Sequence, residues 1–144
     1  MNETVQLLQD VVRNARTGQD AVEQLMKKAE GGPMRDELIK EKEAYAVTRR
    51  ESEQALIDAG GRAEPVGTMA KAGMWMGLEM ETLADRSDGH IAEIVIQGAT
   101  MGVIEMTKAL NTYGGADTQA RSIASRFVVQ QTDAIDRQKA FLTN

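Results

Sequence analysis

The chain has 144 residues, 27% of them charged and 42% hydrophobic, with 22 acids against 17 bases and a formal net charge of −5. This length and composition fit one globular domain spanning residues 1–144, with enough apolar content for a packed core. The acidic balance works against a polyanionic partner such as nucleic acid, and the lack of cysteine excludes disulfides and thiol chemistry.

Tyr45, Trp75, Tyr113, Phe127 and Phe141 are the only aromatic residues, while methionine occurs nine times and alanine is frequent. No stretch alternates apolar and polar residues over a strand's length, so the expected fold class is all-α. The opening MNETVQLLQD has neither a basic nor an apolar leader segment. The longest apolar run is broken by Glu93 and Gln97, so no membrane span is expected and a cytoplasmic protein is the default.

From Glu3 to Glu30, Val5, Leu8, Val12, Ala15, Val22, Leu25 or Met26, and Ala29 recur in steps that draw one face of a helix. Asn2 or Thr4 can cap its start. Gly18 or Gln19 interrupts that seam. Gly31-Gly32-Pro33 ends this helix and opens the next, which runs to about Ala59. The second seam is Met34, Leu38, Glu41, Tyr45, Thr48, Ser52, Ala55 or Leu56, and Ala59. So short a connection makes the two helices antiparallel neighbours.

Residues 62–86 are too many for a bundle turn, and Thr68–Ala84 has helical composition after Pro65 and Gly67. The expectation is a helical crossover that makes the second and third long helices parallel. Ser87 or Asp88 caps the third, SDGHIAEIVIQGATMGVIEMTKALNTYGG, whose charged residues are Asp88, Glu93, Glu105 and Lys108. A helix so nearly apolar all round is expected at the centre of the molecule. Gly98 and Gly102 stand on one face, where a small-residue track of Ala70, Gly73 and Gly77 in the crossover could approach. The fourth helix, Asp117 to about Thr143, has a seam of Ala120, Ile123 or Ala124, Phe127, Ala134, and Phe141 or Leu142, interrupted at Gln130 or Gln131.

Four long helices with one long crossover after the second is the arrangement of a ferritin-like antiparallel four-helix bundle. The segments LLQDVVRNARTGQDAVEQL, AGMWMGLEMETL and SDGHIAEIVIQG followed by MTKAL also resemble the small bacterial ferritin-like proteins grouped as a domain of unknown function. The resemblance covers almost the whole chain. It implies the bundle fold and no established activity.

Di-iron bundles of this superfamily take one Glu from each of two helices and Glu-x-x-His from each of the other two. Here His90 is the single histidine, the residue three before it is Ser87, and the fourth helix has no glutamate. No metal, cofactor or catalytic residue is therefore expected. Glu41 and Glu105 are the remaining seam carboxylates, each needing a partner such as Arg49 or Lys108 or an altered protonation state if it faces inward. The sharper alternative groups Glu41, Glu105, Gln19 and Gln130 in a vestigial polar centre holding water or an ion. Met74, Met76 and Met80 offer soft sulfur for copper(I), but methionine is also a core filler, and Met74 and Met76 point to different helix faces.

The leading expectation is a non-catalytic bundle acting through self-association as a homodimer, or through an unidentified protein partner. The expected interface is Met74, Trp75, Met80, Ile96 and Val103, because the third helix is more apolar than one small bundle can cover. The alternatives are a metal-binding or oxidoreductase protein with an atypical carboxylate site, and a docking module for another protein's amphipathic helix.

Overall fold

A computed structural model of the protein describes residues 2–63 and 85–143. These residues form four long α-helices: α1 (Glu3–Lys28), α2 (Gly32–Asp58), α3 (Asp88–Thr112) and α4 (Thr118–Gln138), the last running into a 3-10 turn at Lys139–Phe141. The described residues contain no strand. The sequence seams become the buried faces, with Val5, Leu8, Val12, Ala15, Val22 and Leu25 of α1 enclosed against Met34, Leu38, Tyr45 and Leu56 of α2.

The helix starts are set by local chemistry. The side chain of Asn2 accepts from the Val5 N–H at 2.8 Å, that of Ser87 from the His90 N–H at 3.3 Å, and that of Asp117 from the Ala120 N–H at 2.8 Å. Between α1 and α2 the chain turns through Gly31 and Gly32, at φ 117° and 67°, values that L side chains rarely adopt. Thr4 has a different use: its hydroxyl accepts from the Asp117 N–H at 2.8 Å and ties the start of α1 to the α3–α4 turn.

Cross-links between distant residues fix the helix directions. The Thr4–Asp117 bond places the start of α1 at the end of α3, so those helices are antiparallel. Arg137 near the end of α4 meets Glu37 near the start of α2, and Arg126 meets Glu51, so α2 and α4 are antiparallel as well. It follows that α2 and α3 run in parallel. The chain passes Arg62, whose carbonyl accepts from Gln9 of α1, at one end of the bundle, and starts α3 at the other. The crossover helix, and the small-residue track of Ala70, Gly73 and Gly77, lie outside the described residues.

In cross-section the order is α1, α2, α4, α3. Helix α1 packs against each of the other three, and α3 packs against α1 and α4, while α2 and α3 lie across the diagonal. This corrects the expected placement of the most apolar stretch. Among the described helices α1 is the most enclosed, and α3 buries Ile91, Ala92, Ile94, Val95, Ala99, Met106 and Ala109 but turns an outward face to solvent. Met101 and Ile104 on that face are 41% and 48% exposed, and among the described helices α3 packs against α1 and α4.

The interruptions in the seams are filled by close approach. Gly18 of α1 lies under the ring of Tyr45, where a Cβ would stand 2.3 Å from Tyr45 Cε1. Tyr45 in turn meets Phe127 edge-to-face, with centroids 5.9 Å apart and planes at 82°. Gly102 of α3 makes the same kind of allowance for α4, since a Cβ there would meet the buried Gln131 side chain at 1.9 Å.

Candidate functional site

Of the predicted polar residues, Glu41 proves to be the most unusual. It projects from the third turn of α2 into the α2–α4 contact and is 2% exposed. Its partners differ from those expected. Gln138, at the end of α4, donates from Nε2 to Glu41 Oε2 at 2.7 Å. One helical turn before Glu41, Glu37 lies within hydrogen-bond reach of it and receives Arg137 Nε, 3.0 Å from each carboxylate oxygen.

The electrostatics follow from this geometry. Burial first, with the hydrogen bond to Glu37 and its negative charge, pushes the Glu41 carboxyl up to about 9, against the opposing pull of the Gln138 bond and Arg137. Glu41 therefore carries a proton at neutral pH. As a carboxylate it would leave Oε1 buried without a partner, whereas as an acid it has an O–H to give to Glu37. Burial, and then the nearby Glu41, also raise the Tyr45 hydroxyl, so both groups are neutral.

The other members of the predicted polar centre lie elsewhere. Gln19 accepts from Arg49 Nε at 2.8 Å and donates to Glu23, and Arg49 also holds Glu53 at 2.8 Å, so Arg49 serves the α1–α2 seam and not Glu41. Glu105 is half-buried on α3 and makes no ion pair with Lys108 among the described residues. Gln130 accepts from the Thr48 hydroxyl at 3.0 Å and shares with Glu41, Tyr45, Gln131 and Arg137 a recess of about one water's size. Glu37, Arg137 and Gln138 were missed from sequence. Only the Glu37–Glu41 spacing, two acids one helical turn apart, signalled the site.

The donor set does not suit the metal centre common in bundles of this shape. The cation beside Glu37 is already Arg137, and His90 is turned to Glu93, with Nδ1 3.3 Å from its carboxylate. Among the described residues no three His, Cys, Asp or Glu side chains converge. What the Glu37–Glu41 pair holds is a proton.

The predicted interface divides. Met74, Trp75 and Met80 lie outside the described residues; Ile96 and Val103 are half-buried at one edge of the α3 face. The more exposed apolar residues are Met101 and Ile104, three residues apart, with Ile104 near the middle of the face and Met101 toward its other edge. Among the described residues, the other exposed large apolar side chains are Ile39, Val47, Ile57, Val129 and Leu142, on α2, on α4 and beyond its end.

The described residues form an all-α fold of four long helices. No family model and no curated protein matches the chain. Its fold is similar to that of a solved structure, the crystal structure of a DUF305 fragment from Deinococcus radiodurans, a domain of unknown function. The match has a TM-score of 0.76 and 18% sequence identity, over 97% of this chain and 95% of that chain. At that identity the likeness is one of fold. No helix among the described residues is long and apolar enough to cross a membrane.

Proposed function

We propose that this chain is a non-catalytic, ferritin-like bundle of a single domain that works by self-association, its cytoplasmic dimer joined through the outward face of α3. The ring order, and the parallel run of α2 and α3, support the ferritin-like reading. The observation that carries the association is the pairing of Met101 and Ile104, three residues apart and 41% and 48% exposed, with half-buried Ile96 and Val103 along the opposite edge of the same outward face. Exposed apolar side chains that adjoin one another mark a contact surface, whereas scattered ones do not.

Light scattering on the purified chain at micromolar concentration is expected to give a dimer mass, and the double variant Met101→Lys/Ile104→Lys a monomer with unchanged helicity. A wild-type chain that stays monomeric throughout the concentration series disposes of the proposal. Metal analysis addresses the competing reading: near-stoichiometric iron, manganese or copper would favour a metal-binding or oxidoreductase bundle.

A further inference from the structure

The outward face of α3 carries an exposed acid near its start and an exposed base toward its end, Glu93 and Lys108. Read along the helix from Glu93, its exposed residues are Glu93, Gln97, Thr100, Met101, Ile104, Thr107, Lys108, Asn111 and Thr112. Reversing a second copy about a point between Thr100 and Met101 brings Glu93 level with Lys108 and Gln97 level with Ile104. The acid and the base, which sit at opposite ends of the apolar centre, would then meet twice, once on each side of a two-fold axis.

We infer that the partner on this face is a second copy of the chain, with α3 antiparallel to its mate, the axis passing between Thr100 and Met101, and the register set by Glu93 and Lys108. This rests on the self-association proposed above and specifies its geometry. Lys108 has no ion-pair partner among the described residues. Glu93 has a 56% exposed side chain and touches only His90, in its own helix, among those residues. A parallel pairing would instead set Glu93 beside Glu93 and Lys108 beside Lys108, and like charges in close contact disfavour it.

The pairing makes two demands that simple stickiness does not. Charge reversal at one end, Glu93→Lys or Lys108→Glu, is expected to weaken the dimer roughly tenfold, because each change replaces two attractions by two repulsions. The exchange variant Glu93→Lys/Lys108→Glu restores both attractions and is expected to recover the wild-type dimer. With no native cysteine, single-cysteine variants read the register directly. Met101→Cys, beside the axis, is expected to cross-link to itself on mild oxidation, and Glu93→Cys, near one end, is not.

A dimer that forms but cross-links through Glu93→Cys, or an exchange variant no stronger than the single reversals, overturns the antiparallel register and leaves the association standing. A monomeric wild type removes both. Folding of every variant is checked by helical circular dichroism, and the cysteine pair keeps the test decisive if a charge variant misfolds.

Discussion

Replacing Glu41 with glutamine is expected to stabilise the folded chain at pH 8 and to flatten the dependence of its stability on pH. In the unfolded chain Glu41 titrates at its ordinary value of 4.5, and in the bundle burial holds it protonated up to about 9. Between those values folding takes up a proton, so stability falls as pH rises. A one-proton difference is worth about 1.4 kcal/mol per pH unit. The contribution is present in full below the unfolded value and is lost as pH climbs through the folded one. Glutamine copies the neutral acid: its carbonyl can accept from Gln138, its amide can donate to Glu37, and it never ionises. Urea denaturation of both proteins from pH 5 to pH 9 should give a gap that widens with pH. If the two stabilities run parallel across that range, Glu41 is ionised in the bundle and the proton-sharing pair does not exist.

The second large effect is expected at Gly18. Alanine in a helix interior ordinarily gains up to about 1 kcal/mol over glycine. Here Cβ would stand 2.3 Å from Tyr45 Cε1 and 2.5 Å from Cζ, on a ring that is 3% exposed and backed by Phe127. The ring cannot retreat without moving the core, and such overpacking typically costs about 1–3 kcal/mol. Gly18→Ala is therefore expected to destabilise the wild-type chain. In a Tyr45→Leu background the obstacle is gone, and the same substitution is expected to be neutral or stabilising. A change of sign between backgrounds, measured by thermal or urea unfolding, identifies the contact as the cause. Stabilisation by Gly18→Ala in the wild type would show that the Tyr45 ring does not need the space.

How far the residues alone foretold this molecule varies from helix to helix. The seams of α1 and α2 were legible because both helices bury one stripe of regular spacing, down to Glu41, Thr48 and Ser52 as inward positions. The parallel run of α2 and α3 was legible from the length of the connection. The burial of α3 was overestimated because apolar content gives no count of neighbours. Ile94 is enclosed and Ile104 is not, and only the ring order of the helices distinguishes them. The surroundings of Glu41 were illegible for a related reason: Gln138 and Arg137 lie nearly a hundred positions away, and which turn of α4 stands opposite depends on how the two helices end. Gly18 looked like a fault in a seam because nothing in its own helix reveals the Tyr45 ring resting on it.

Solution NMR of the methionine methyl groups, recorded with a soluble paramagnetic agent over a dilution series, tests the association through α3 most directly. The Met101 methyl is expected to be shielded from the agent at high protein concentration and to lose its signal as the chain is diluted, while that of the buried Met106 stays shielded throughout. Equal bleaching of Met101 at every concentration would mean that nothing covers this face, and the account of the protein as a self-associating bundle would be wrong.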